Sequence, residues 1–347
     1  MNDCMIKEQA KKRVKWVDAA KGLGLIFVVL GHLQIKYLST WIYTFHIPLF
    51  FFLSGFVFSG EKYKFREFFV KKVKTLVVPY FCLGFGIFVV WCGIYAVQSQ
   101  PPKEYFIMLW NFIKQEHFWT VWFLACLFLV EILYYWVDKT AVKYKWLSTI
   151  VSLILCVIAF VWYRLGGKGL PWNLDVALVA QLFFHLGYLF KKYPKIKDFL
   201  LSNKPLRSIL LIVCFGVINV VSGFACIRVS GQSLDMSIGM YGNELLTIIS
   251  AFSGIICAVI FCNAVPLKVF TYLGENTMLI FAWHSRIVLV LMQYLYEAIN
   301  VFQGTGFLEH AIGAGIIFIV IFAVLIPINE LIKRSKLKFI IGRYGDK

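Results

Sequence analysis

Trp16-Val17-Asp18-Ala19-Ala20-Lys21-Gly22-Leu23-Gly24-Leu25-Ile26-Phe27-Val28-Val29-Leu30-Gly31-His32 opens one long apolar run, and Phe45-His46-Ile47-Pro48-Leu49-Phe50-Phe51-Phe52-Leu53-Ser54-Gly55-Phe56 lies in the next. At 1.5 Å of rise per residue, about 20 such residues cross the ~30 Å hydrocarbon core of a bilayer as a helix. Outward from these two, eight more runs of similar length follow, giving ten segments near 19–37, 41–59, 75–97, 118–137, 146–163, 172–190, 207–224, 243–263, 272–296 and 308–332. The composition agrees: 60% of residues are hydrophobic, against roughly 45–50% in soluble proteins. Mean hydropathy is +0.77, so a soluble fold is excluded. The runs are too long for barrel strands, and irregular backbone cannot face lipid, so they predict an all-α polytopic bundle of about ten transmembrane helices.

Charge placement orients that bundle. Lysine and arginine number 35 against 18 acidic residues, a net charge of +17. With the N-terminus inside, 27 of the 35 fall on the inner side, in the N-terminal segment, 60–74, 139–145, 191–207, Lys268 and the residues after 332. The outer loops hold Lys36, Lys103, Lys114, Arg164, Lys168 and Arg228, and only Lys21 and Arg286 fall within spans. This positive-inside pattern predicts an N-in, C-in topology with cytoplasmic segments at 1–17 and 333–347. The charge thus reports topology; membrane lipid is an expected partner and nucleic acid is not. The first run exceeds a signal-peptide core and reads as a retained span. Nine scattered cysteines without a Cys-x-x-Cys pair read as packing residues, and no disulfide framework or metal site is expected. No internal repeat or linker divides the chain, so 1–347 is read as one membrane domain.

A polar side chain in hydrocarbon costs several kcal/mol unless it is paired or faces a watery cavity, which makes the exceptions to the apolar pattern the place to look for chemistry. The first span carries Asp18 and Lys21, three apart on one face near its inner end, and His32 beyond its middle. The second span returns, so His46 lies before its midpoint and both histidines sit roughly 5–6 Å to the outer side of the bilayer centre, where they can meet. Pro48 lacks an N–H and crowds the carbonyl of Thr44, so a kink beside His46 is expected. His284 and Arg286 occupy the ninth span. Asp175 and Glu244 lie at the outer ends of the sixth and eighth, His185 and Glu131 lie deeper, and His117 and His310 fall at outer boundaries.

Trp16 to Gly22, Val28-Val29-Leu30-Gly31-His32 and Phe45 to Gly55 together resemble the membrane-embedded acyltransferase family 3, especially its sugar O-acetyltransferases of the fucose-4-O-acetylase type. Looser landmarks continue in the family's order: Lys71-Lys72 through Pro79-Tyr80, Trp122-Phe123-Leu124, Leu170 to Asp175 with Phe184 to Tyr188, and Tyr272 to Thr277 leading to His284. The resemblance implies a bundle of about ten helices that moves an acyl group, usually acetyl from acetyl-CoA, to a hydroxyl of an extracytoplasmic or lipid-linked carbohydrate at the cell membrane. His32 matches the family's catalytic histidine. Lys21 stands where many members carry arginine, keeping the charge but losing the bidentate fork. With no hydrolase-like domain appended, the acceptor is expected to be handled by the membrane domain or by a partner.

The residue chemistry points the same way. A sugar hydroxyl is a poor nucleophile at neutral pH, and a histidine can take its proton as it attacks a thioester. His46 and Arg286 are the candidates for holding the developing oxyanion. Direct transfer and an acetyl-histidine route are both compatible with these residues. The phosphates of cytosolic acetyl-CoA call for inward cations, for which Lys21, Lys71, Lys72 and Lys74 are expected. Acceptor contacts are expected from Asp175, Glu244, His284 and Arg286. A transporter or flippase of a lipid-linked sugar would also give ten spans with polar residues at mid-depth, without covalent chemistry.

Overall fold

The computed structural model describes residues 14–115, 119–140, 146–202, 204–232, 234–299 and 307–344. In chain order its helices are α1 (Lys15–His32), α2 (Leu38–Tyr43), α3 (His46–Val57), α4 (Phe65–Lys72), α5 (Val78–Val97), α6 (Pro102–Lys114), α7 (Trp122–Thr140) and α8 (Leu147–Arg164). They continue with α9 (Leu174–Lys192), α10 (Pro194–Leu200), α11 (Pro205–Ser230), α12 (Glu244–Ala264), α13 (Lys268–Glu275), α14 (Thr277–Trp283), α15 (Val290–Ala298) and α16 (Phe307–Arg334). Among the described residues there is no strand, only an isolated bridge between Asp235 and Met240. The chain is an all-α polytopic membrane protein. Among the described residues, eight helical passes are long and apolar enough to cross a bilayer. The other two expected segments are α1, which carries Asp18 and Lys21, and α7, which carries Glu131 and Asp138. Both bury most of their length in the bundle, which is where charged spans belong.

Several spans are broken in ways that hydropathy does not report. The first ends at His32 rather than 37 and returns through Gln34 and Tyr37, both at positive φ. The second divides at Thr44–Phe45. Pro48 then falls in the first turn of α3, where its missing N–H is tolerated, so the break precedes the proline and the carbonyl that meets His46 is that of Ile42, which also accepts from Phe45 N at 3.2 Å. The ninth divides at Asn276 and contains a π-helical turn at His284–Leu289. The stretch 98–117, read as an outer loop, holds the amphipathic helix α6, whose Met108 and Phe112 are buried. The segment 333–347, read as a tail, folds back within its described part: Ile341 is buried, and Arg343 Nη2 donates to Glu275 O at 2.9 Å and Asn276 Oδ1 at 3.3 Å.

Two glycine-mediated crossings set the centre of the bundle. A Cβ on Gly22 would overlap the Phe270 carbonyl, and one on Gly274 would overlap that of Asp18, so α1 and α13 meet backbone to backbone. Gly55 and Gly187 do the same for α3 and α9, against Phe184 and Phe52. In lipid there is no hydrophobic gain from pairing helices, so close approach through small residues supplies the packing. Polar ties reinforce it. His185 joins α7 to α8 through Tyr134 Oη at 2.8 Å and Thr149 Oγ1 at 2.9 Å, and Lys72 pairs with buried Glu131. His185 therefore serves packing. Removing one partner of a buried pair strands the other charge. Lys72→Ala is expected to cost about 3 kcal/mol, read as a lowered melting temperature in detergent, with much of the loss recovered in Lys72→Met/Glu131→Leu.

Candidate active site

Three interruptions of regular helix converge on one cavity. His32 closes α1, and its Nδ1 lies 2.9 Å from the Val28 carbonyl one turn back. His46 opens α3, and the break before it leaves the Ile42 carbonyl 2.8 Å from its Nδ1. His284 begins the π-helical turn, with Nδ1 at 3.1 Å from Ile280 O and 2.9 Å from Phe281 O. The wider π turn aims His284, Ser285 and Arg286 toward the same side, and all three line the cavity. Side-chain donors meet carbonyls in the turn and just before it, Trp91 Nε1 on Arg286 O at 3.0 Å and Thr120 Oγ1 on Ala282 O at 2.5 Å. The remaining wall includes Tyr43, Trp119, Trp122 and the 234–243 loop, where Asp235 accepts from Ser237 N at 2.8 Å and Ser237 Oγ at 2.5 Å. The cavity volume is about 230 Å³.

The ring partners assign the tautomers. A carbonyl only accepts, so the Nδ1 atoms of His46 and His284 carry their protons, and in neutral rings both Nε2 atoms are acceptors. His284 Nε2 lies 3.2 Å from His32 Nδ1. His32 Nδ1–H therefore faces two acceptors, Val28 O and His284 Nε2, which leaves the lone pair of His32 on Nε2. An imidazole held by one nitrogen, with the other presenting a lone pair, is how a general base is prepared. A neutral His46 with its proton committed to Ile42 O has no second N–H, so the cation placed to meet a developing oxyanion in this cavity is Arg286. Among the described residues no group of three or more His, Cys, Asp or Glu side chains is arranged to hold a metal ion.

The expected site residues fall into three places. His32, His46, His284 and Arg286 line the same cavity, with His284 the hydrogen-bond partner of His32 and His46 across the ring of Tyr43, 5.0 Å between centroids. Asp175 and Glu244 lie outside that lining. Asp175 is buried and accepts from Tyr163 Oη and from Leu170 N at 3.2 Å; Glu244 holds Arg164 in two bonds of 2.5 and 2.7 Å. The lysines lie elsewhere again. Lys71 and Lys74 are exposed, on Tyr63 and over the Tyr344 ring at 5.8 Å, Lys72 is paired with Glu131, and half-buried Lys21 precedes the Gly22 crossing. From Lys21 to His32, α1 rises about 16 Å. His117 is outside the described residues. The wall residues Tyr43, Asp235 and Ser237 were not singled out by sequence; Tyr43 lies in an apolar run, and 234–243 has no periodicity to read.

A polytopic helical bundle with a histidine cluster and an arginine around one small cavity suits group transfer within the membrane. The chain belongs to the membrane acyltransferase family 3: the family's model, described as an acyltransferase domain, matches residues 14–328. Comparison with curated proteins and with solved structures finds no match. The chain is thus a multi-pass membrane acyltransferase.

Proposed function

We propose that this protein is an O-acetyltransferase that moves acetyl from cytoplasmic acetyl-CoA to a carbohydrate hydroxyl on the far side of the cell membrane. The observation that carries the reading is His32, whose Nδ1–H is held by Val28 O and His284 Nε2 so that Nε2 keeps a lone pair, in a cavity that Arg286 also lines. In the transfer, Nε2 takes the proton of the acceptor hydroxyl while its oxygen attacks the thioester carbonyl. The tetrahedral oxyanion forms within reach of the Arg286 guanidinium. Collapse expels the coenzyme thiolate, which takes the proton back from His32, leaving an ester and a free thiol. Two substrates must meet at one base, and His32 borders a second cavity as well, of about 290 Å³, lined by Gln34, Gln293, Glu297 and His310 among others. Direct transfer requires both substrates bound together, so initial-rate plots should intersect; parallel lines would indicate an acetyl-histidine instead.

The inward side follows from the charge pattern, with both termini and 60–74 cytoplasmic. Exposed Lys71 and Lys74 are then placed to meet the coenzyme's phosphates as they arrive. Their alanine variants are expected to raise the KM for acetyl-CoA about five-fold with kcat nearly unchanged, the pattern of lost uniform binding. Thiol labelling of single cysteines in 60–74 on a cysteine-depleted background checks the sidedness, since reaction from outside would place the donor on the wrong face. The reading as a whole is tested by mass spectrometry of surface carbohydrate from cells with and without the gene. A gain of acetyl groups is expected, and identical spectra would count against it.

A further inference from the structure

Next to the histidine cavity lies a larger recess that acyl transfer itself does not use. It is lined by Phe160, Tyr163, Arg164, Tyr241, Glu244 and the glycines of the 234–243 loop, and its volume is about 640 Å³. The two spaces share one wall. Asp235, Ser237 and Ile238 face the histidine cavity, while Gly239, Tyr241 and Gly242 face the recess, so the division falls between consecutive residues. Gly239 and Gly242 have φ of +71° and +60°, and a Cβ on Gly239 would overlap the Tyr163 ring, so this wall is pressed onto an aromatic face as only glycine allows. Along the recess the Tyr241 ring lies 5.3 Å between centroids from those of both Phe160 and Tyr163, and its buried hydroxyl turns inward beside Tyr163, so the recess meets an aromatic wall. At the rim, Arg164 and Glu244 pair with each other, presenting donors and acceptors without net charge.

Size separates the two spaces. Pockets for small ligands run from about 300 to 1,000 Å³; the histidine cavity falls below that range and the recess within it. The cavity therefore admits the reacting end of an acceptor, and the rest must lie elsewhere. Aromatic faces and a neutral guanidinium–carboxylate pair suit sugar rings, which offer apolar faces and many hydroxyls. We infer that the recess binds the sugar units of an oligomeric carbohydrate acceptor lying beyond the unit that is acetylated, and that the 234–243 loop decides which hydroxyl reaches His32. This rests on the carbohydrate acceptor proposed above.

The test uses the full chain in nanodiscs and oligosaccharides of one to six units cut from the host cell's own surface carbohydrate. Transfer is expected to favour the longest fraction over the single unit by at least about ten-fold in kcat/KM. That ratio should fall toward one in Arg164→Gln and in Glu244→Gln, each of which breaks the rim pair that faces the recess. Saturation-transfer NMR on His32→Ala protein reads binding without turnover and should show the same dependence on length, lost in the two added substitutions. Acetyl transfer that is indifferent to length would overturn the recess and leave the acetyltransferase intact. Length-dependent binding abolished by Arg164→Gln, with no acetyl transferred to any fraction, would keep the recess and overturn the enzymatic reading.

Discussion

Replacing His32 with alanine is expected to lower acetyl transfer by about 10³-fold, within the range of 10²–10⁴ for a positioned base, while the protein remains inserted and melts within a few degrees of wild type. The cavity wall explains the second half of that statement. His32 donates one hydrogen bond to the carbonyl of its own helix and one to His284, and its other nitrogen faces open space, so truncation frees no deeply buried partner beyond His284 Nε2. His284 acts through His32, which makes it a positioning residue. His284→Leu should reduce kcat by about 10²-fold with little change in KM, the signature of a contact needed in the transition state. His284→Gln should recover part of the loss, because an amide oxygen can accept the Nδ1 proton. Full activity in His284→Leu would remove the positioning role and leave Val28 O alone to hold the ring.

Leucine at Gly55 or Gly187 is expected to abolish the folded protein. Each glycine meets the backbone of the facing helix, so a side chain must push α3 and α9 apart along their whole contact, and no rotamer avoids the carbonyls of Phe184 and Phe52. A loss of more than about 4 kcal/mol is expected, the exceptional end of point substitutions. Size-exclusion profiles of fluorescent fusions, with their melting curves, check it. Gly93 is the control: a Cβ there has nothing within 4 Å, and Gly93→Leu should leave the profile unchanged. A monodisperse Gly55→Leu protein with native melting would mean that the α3–α9 crossing is not a close one.

The residues that could be read in advance were those whose cost in lipid is high. His32, His46, His284 and Arg286 stand out because each interrupts an apolar run, and the structure gathers all four around one cavity. Their pairing was not readable. Depth arithmetic along two helices brought His32 toward His46, but the hydrogen bond to His32 comes from the ninth span, through a π turn that shifts the helical phase. Nor does hydropathy locate the break at Thr44–Phe45 or the fold of 234–243, since both are settled by tertiary packing and glycine backbone. For Asp175 and Glu244 the sequence marks polar span ends but not their partners. Both were singled out as acidic residues at span ends, and both are engaged away from the histidines, with Tyr163 and Leu170 and with Arg164.

The most direct measurement is radiochemical. Purified protein is reconstituted in liposomes and given acetyl-CoA labelled in the acetyl group together with carbohydrate from the host cell surface. The label should appear in carbohydrate as an alkali-labile ester with wild-type protein, and stay on the coenzyme with His32→Ala. Label that never enters carbohydrate, or that enters it equally well without His32, would contradict the account of the histidine cavity as the site of acetyl transfer.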